Sequence, residues 1–323
     1  MTRVLLISPA STDADVRAHA KSIASISGVT VAQSESTATD RLADAAWTAA
    51  KLFRQRHSID VIVTSGFSAL MAAYLAWRGP IVHVPVGRVS AGEVGLIGRL
   101  ARRGTFRIVT SSPSLARHAM RYVINPQHVS VIRPTVAAIS MRRVEARERL
   151  GIAPGQPLVY VPGVARPGSN HRLGFWASNI LHFRDPSVRL LIVGGGPNEG
   201  FVRRFITSAD MWPAIVSDAT LDETDRAAAA DVAICGASGA PDLLPLVALT
   251  RAGTPLAGMQ STWVREELDR YPATLAAAPK ARLLARAALE ALEGGRAMNR
   301  DASDGASDQA NWKNVLSPLV ARS

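Results

Sequence analysis

The sequence predicts an α/β fold of two doubly wound domains facing each other across a cleft. Three observations carry this. Short apolar runs of strand length alternate with stretches of helical period along most of the chain. The alternation pauses once, near residues 136–150, and then starts again. The chain has 323 residues, long for one domain and comfortable for two. Strands alternating with helices give parallel sheets with right-handed crossovers. Such sheets bind ligands outside the carboxyl ends of their strands, so a pair of them puts the site in the facing cleft.

In the first half, Val4–Ser8 reads as a buried parallel strand. Thr12 and Asp15 have capping-box spacing before a helix with Val16, Ala20 and Ile23 on one face. Strand Val29–Val31 follows, then a helix capped by Thr39 that buries Leu42, Ala46, Ala49 and Phe53. Next come strand Asp60–Thr64, helix Phe67–Trp77, strand Ile81–Val84, an arginine-rich helix near Val94–Arg103 and strand Arg107–Thr110. Ser112-Pro113 starts a helix, Ser as cap and Pro at the first helical position. Val129–Ile132 closes this domain, residues 1–135.

Residues 136–150 read as a connection carrying a short basic helix, Val144–Leu150. The second domain, 151–298, repeats the pattern. Its strands are Leu158–Val161, Leu190–Val193, Ile215–Val216, Val232–Cys235 and Pro255–Ala257. Its helices are Arg172–Phe183, Glu199–Ala209, Asp222–Ala230, Leu243–Arg251 and Lys280–Glu293, with Gly253 a C′ glycine. Residues 299–310 read as a flexible polar linker, and Trp312–Val320 as a last helix that ends the 299–323 segment.

Hydrophobic residues make up 47% and charged residues 20%, enough for an ordinary core in each half. The single cysteine, Cys235, permits no intrachain disulfide and reads as a small core residue. No stretch reaches the length of a membrane helix and no signal peptide is legible, which points to the cytoplasm. The charge is unevenly placed. Residues 1–150 hold 20 Lys/Arg and 9 Asp/Glu, whereas 151–323 hold 17 of each. The first half therefore suits an anionic partner such as a membrane surface or lipid phosphate, or simply bears a solvated arginine surface. Arg99, Arg102 and Arg103 form its densest helical patch. Nucleic acid is not expected, because no recognition motif or aromatic stacking pattern accompanies the charge.

Several chemistries are absent as motifs. No G-x-G-x-x-G follows the first strand, and there is no P-loop and no G-x-S-x-G elbow. Seven histidines lie scattered, without zinc spacing; His83, inside a strand, reads as a core histidine. Three strand-end loops stand out. Gly194-Gly195-Gly196 allows a phosphate to approach the backbone at a helix start, or makes an ordinary tight turn. The Gly163–Gly168 loop carries Arg166, with Arg172 behind it, suited to a diphosphate or to solvent. Ser238, Gly239 and Asp242 precede a helix, where they could line an anion site or supply a first-turn acid.

Together these segments resemble the GT-B glycosyltransferases, of the retaining family-4 (group 1) type, whose two domains are Rossmann-like. ADVAICGASGAPDLLPLVALTRAGTP, residues 230–255, is similar to that family's A-D-V…P-S-x-x-E-G…L-E-A-M-A-x-G-x-P segment. PSVRLLIVGGGP is similar to its P-x-x-x-L-x-I-V-G-x-G-P, and NWKNVLSPLV to its last helix, which crosses back to the first domain. The resemblance implies donor binding by Arg166, Arg172, Gly194–Gly196, Ser238, Gly239 and Asp242, with a nucleotide sugar as substrate and no metal or other cofactor. It also exposes departures. The family's Glu-x7-Glu pair falls on Ala240 and Ala248, its histidine falls near Val86, and STDAD stands where a Gly-Gly turn is usual. No catalytic residue is assigned.

Two readings follow. In one, the chain is a glycosyltransferase acting on a lipid-linked or polysaccharide acceptor, in the cytoplasm or peripherally at the inner membrane surface. Alternatively it is an inactive GT-B-like scaffold in surface polysaccharide assembly, as the two alanines suggest. A sugar-nucleotide epimerase would need cleft carboxylates that the sequence does not place.

Overall fold

A computed structural model describes residues 2–9, 14–36, 42–85, 89, 91–123, 125–134, 136, 139–165, 169–193, 199–209, 215–217, 221–237, 243–260, 273–276, 278–293 and 305–321. The chain divides into two compact units, Met1–Thr135 with Ser303–Ser323, and Val136–Ala302.

The first unit opens with β1 (Thr2–Pro9), α1 (Ala14–Ala24), β2 (Val29–Ser36) and α2 (Leu42–Gln55). It continues with β3 (Val61–Ser65), α3 (Phe67–Ala76), β4 (Ile81–Val84) and α4 (Ala91–Leu100), then β5 (Phe106–Thr110), α5 (Pro113–Met120) and β6 (Val129–Val131). The strands form one parallel sheet in the order β2-β1-β3-β4-β5-β6. Strands β3 and β4 are buried at every position, which is why both open on apolar residues, Val61–Val63 and Ile81–Val82. On one face Ile62 and Phe106 of the sheet share a core with Leu70 of α3 and Ile97 and Leu100 of α4. The other carries Val4, Val63 and Val82 against Val16, Ala20 and Ile23 of α1. The α5 cap is as the sequence implies: Ser112 Oγ accepts the Leu115 N–H at 3.2 Å, with Pro113 at the first position.

The second unit contains α6 (Arg143–Arg149), β7 (Leu158–Val161), α7 (His171–Arg184), β8 (Arg189–Ile192), α8 (Glu199–Ser208) and β9 (Ile215–Ser217). There follow α9 (Glu223–Ala229), β10 (Val232–Cys235), α10 (Leu243–Ala252), β11 (Leu256–Met259), β12 (Ala273–Ala276) and α11 (Ala281–Glu293). Its parallel sheet runs β12-β11-β10-β7-β8-β9. Helix α10 ends in a Schellman turn: Thr254 N–H reaches Leu249 O, Gly253 N–H reaches Thr250 O, and Gly253 has φ 64°.

Four sequence readings need correction. Residues 305–310, expected as flexible linker, belong to the last helix, α12 (Gly305–Val320). That helix is grouped with the first unit, where Trp312, Leu316 and Leu319 complete the α1 face. Trp312 is fully buried, edge-on to His19, and donates its indole N–H to His19 Nδ1 at 3.4 Å. Tertiary burial of three apolar residues thus sustains a helix whose first turns are polar. Residues 136–150, expected as a connection, belong to the second unit. They are fastened there by charge. Asp231 accepts from Arg143, from Arg147 at 3.0 Å and from the Leu158 N–H at 2.8 Å. Asp225 accepts from the Ser140 N–H, the Ser140 hydroxyl and the Met141 N–H at 3.0, 2.5 and 3.1 Å. Finally, β2 runs five residues past its expected end, and β12 is a strand the sequence did not suggest.

Candidate functional site at the carboxyl edge of the second sheet

Counted from its own first strand, the second sheet has the order 3-2-1-4-5-6 of dinucleotide-binding sheets. The order reverses between β7 and β10, which pair directly. Ligands in such sheets bind at this switch point, outside the carboxyl ends. Val161, Pro162, Ser169, His171, Cys235, Gly236 and Ala237 are among the residues lining a pocket there.

Two glycines let α7 approach that edge. A Cβ on Gly236, just past β10, would come within 2.8 Å of Asn170 O. A Cβ on Gly174 would come within 3.2 Å of a Val161 methyl. Any other residue at 236 would push against backbone rather than a side chain that can move aside. The first turn of α7 is thereby seated at the switch point, without an acid in it and with Arg172 at its second position. That end of a helix carries partial positive charge and unpaired N–H groups, so the local field favours an anion.

The loop leaving β7 is held at its root. His171 is buried, and its Nε2 lies 3.0 Å from Gly163 O. A carbonyl can only accept, so Nε2 carries the proton and Nδ1 accepts from the Ser169 hydroxyl at 2.6 Å. From the other side, the Tyr160 oxygen faces the Gly163 backbone N–H. The Tyr160 hydroxyl donates to Glu223 Oε1, and Glu223 Oε2 accepts from Arg226 Nη2 at 2.8 Å. Burial first, and then the Glu223 charge, push the Tyr160 pKa well above its usual value. Burial works against the Arg226 charge, but Glu223 and then Tyr160 outweigh it and raise its pKa. Sequence reasoning missed this cluster. Glu223 and Arg226 have helical i,i+3 spacing, but Tyr160 reads only as an apolar strand residue.

Of the donor-loop residues singled out in the sequence, Arg172 lies within the described structure. It is exposed, its guanidinium 5.5 Å from the Phe205 ring centre. Arg166, Gly194–Gly196, Ser238, Gly239 and Asp242 lie outside the described residues, as does Ala240. The loops that carry them leave β7, β8 and β10, which are neighbours in the sheet. Ala248 is fully buried in the apolar core beside Leu246 and Leu249.

In the first unit, Arg99 and Arg102 are exposed. Arg103 is half-buried, donates to Trp77 O at 3.4 Å and lies over the Tyr74 ring. All three stand at or just past the C-terminal end of α4, where cations oppose the helix dipole. His83 is buried between the Thr64 hydroxyl, 3.1 Å from Nδ1, and Glu93, 3.2 Å from Nε2. A cavity of about 250 Å³ also lies in this unit, beside the edge strand β6 and lined by Arg107, Gln127, Asn311 and Asn314 among others. It is on the flank of the sheet, not at a strand-end switch point.

No family model matches the sequence, and no curated protein matches it. Solved structures match the fold along its full length. HepE of Anabaena, in complex with UDP and glucose, is similar with a TM-score of 0.73 at 14% identity, over 99% of this chain and 100% of that chain. Sucrose-phosphate synthase from Thermosynechococcus elongatus gives 0.71 at 13% identity, over 100% of both chains. WaaG, a glycosyltransferase involved in lipopolysaccharide biosynthesis, gives 0.67 at 14% identity, over 100% of this chain and 98% of that chain. This chain therefore has the GT-B fold. Among the described residues, no helix is long and apolar enough to cross a membrane.

Proposed function

We propose that the chain transfers a sugar from a nucleotide-sugar donor, with the donor diphosphate held at the β7/β10 edge of the second unit. One observation carries the reading. The three loops flagged for phosphate binding leave three neighbouring strands, around a switch point against which a helix N-terminus is seated. The match to HepE, solved with UDP and glucose and also with UDP-glucose, supports a uridine nucleotide as the first donor to try. In this reading Arg166, Arg172, Gly194–Gly196 and the Ser238–Asp242 loop balance the charge of the departing diphosphate. The basic first unit takes the acceptor, lipid-linked or polysaccharide, with Arg99 and Arg102 available to an anionic surface. The nucleotide sugar is the substrate, and the reading calls on no metal.

Calorimetric titration with UDP-, GDP- and ADP-sugars, with nucleotide release followed in parallel, tests it. Saturable binding of one of them is expected, and no binding at millimolar concentration would sink the reading. Arg166→Ala should weaken that binding; an unchanged affinity removes Arg166 from the site. A second reading, an inert GT-B scaffold, is favoured by the burial of Ala248 in apolar core, where the resembled family has a carboxylate. It predicts tight nucleotide binding or none, and no release of nucleotide with any acceptor.

A further inference from the structure

Helix α7 is buried on most sides, by β7, β10, α8 and α11. One stripe faces solvent, and it is not polar. Arg172, Trp176, Ile180 and Phe183 succeed one another at helical spacing, and Arg184 ends the helix. Trp176 is 40% exposed, Ile180 37% and Phe183 78%. The neighbouring α8 extends the patch. Its Phe205 meets Trp176 edge-on at 5.4 Å, and Phe201, one turn earlier, is 47% exposed. The exposed aromatic side chains Trp176, Phe183 and Phe201 thus lie on two adjacent helices.

The charge on these two helices is predominantly positive. Helices α7 and α8 carry Arg172, Arg184, Arg203 and Arg204, all exposed, against one acid, Glu199. Asp185, just past α7, has its carboxylate engaged by the Ser187 N–H at 2.9 Å and hydroxyl at 2.6 Å. Contiguous exposed apolar surface marks an interaction site. Aromatic rings flanked by Arg184, Arg203 and Arg204 match an acyl–headgroup boundary, where rings enter the boundary and guanidinium groups meet lipid phosphates. A second copy fits poorly, because a two-fold pairing would set one row of arginines against its own image.

We infer that the outer face of α7 and α8 docks on an anionic lipid bilayer, with Trp176, Phe183 and Phe201 as apolar anchors and Arg184 and Arg204 as phosphate contacts. This surface is separate from the Arg99/Arg102 patch of the first unit, and it stands whether or not the chain transfers sugars. The test is sedimentation of the full chain with phosphatidylcholine vesicles with and without phosphatidylglycerol, at low and at physiological salt. The chain should sediment with the phosphatidylglycerol vesicles alone, and less at higher salt. The double variant Phe183→Ser/Phe201→Ser should lower the partition coefficient about tenfold or more. Arg184→Glu and Arg204→Glu should each lower it about fivefold or more. These side chains are solvent-facing, so circular dichroism of the variants should be unchanged. The inference is overturned if the wild-type chain does not sediment at low salt. It is equally overturned if Phe183→Ser/Phe201→Ser binds as before while Arg99→Glu/Arg102→Glu does not, or if the phenylalanine variant abolishes concentration-dependent self-association instead of vesicle binding.

Discussion

The two units solve the same architectural problem with different materials. Each is a six-stranded parallel sheet covered by helices on both faces. The first closes one face with apolar side chains borrowed from the far end of the chain, Trp312, Leu316 and Leu319. The second completes its core from contiguous sequence and fastens its segments with two carboxylates, the buried Asp225 and the half-buried Asp231. The first sheet has the order 2-1-3-4-5-6 and the second 3-2-1-4-5-6, so their switch points fall at different strands. The comparison shows that βα alternation alone sets neither the core closure nor the position of the site. Those come from single residues outside the repeating pattern.

The largest expected effect tests the borrowed closure. Trp312→Ala should cost about 3–5 kcal/mol and should lower hydrogen-exchange protection in β1 and β3 while sparing β7 and β10. Uniform loss across both sheets would mean that the units do not differ in this way. Next, Asp231→Asn leaves Arg143 and Arg147 without their carboxylate and should cost about 3 kcal/mol, read by urea denaturation with a probe in the second unit. An effect no larger than that of Arg149→Ala, which breaks only an exposed i,i+4 pair, would show that charge is not what fastens residues 139–150.

Much of this frame is legible in the sequence, for physical reasons. Fully buried parallel strands are mostly apolar along their length, so β3, β4, β7 and β10 stand out. Caps are local, so Ser112 and Gly253 are readable from their neighbours alone. Strand β12, sequence ATLA, has one large apolar residue and a single β-branched one, Thr274, too weak a signal alone, and its pairing with β11 completes it as a strand. The start of α12 was misread because its support is the sheet beneath Trp312, far away in sequence. At the candidate site, the loops are legible as Gly-rich strand ends. The groups that hold the β7 loop are not, since Tyr160, Glu223 and Arg226 come from two elements and only the fold brings them together.

Two smaller effects sharpen the account of the second switch point. Gly236→Ala should cost about 1–3 kcal/mol, since its methyl meets the Asn170 carbonyl, and it should weaken nucleotide binding as α7 is displaced. Loss of stability with unchanged nucleotide affinity would detach this edge from donor binding. Tyr160→Phe should cost about 1–2 kcal/mol at neutral pH, with the Glu223 carboxylate left one donor short. Its signature is the pH dependence. The folded chain holds the Tyr160 proton more tightly than the unfolded chain, whose tyrosine titrates near 10.0. That contribution is therefore complete below pH 10 and is lost as pH rises beyond it, with a slope of up to about 1.4 kcal/mol per pH unit. The phenylalanine variant should lose less stability than wild type above pH 10, and parallel curves would refute the assignment.

The borrowed helix also orders events in time. The first unit begins at the start of the chain, yet one face of its sheet waits for Trp312, which is synthesised after all of residues 136–302. During translation, Val4, Val63 and Val82 lack part of their cover until Trp312, Leu316 and Leu319 have emerged, whereas the residues of the second unit emerge before them. Domains usually mature in the order they emerge. Here the first to appear is the last to close.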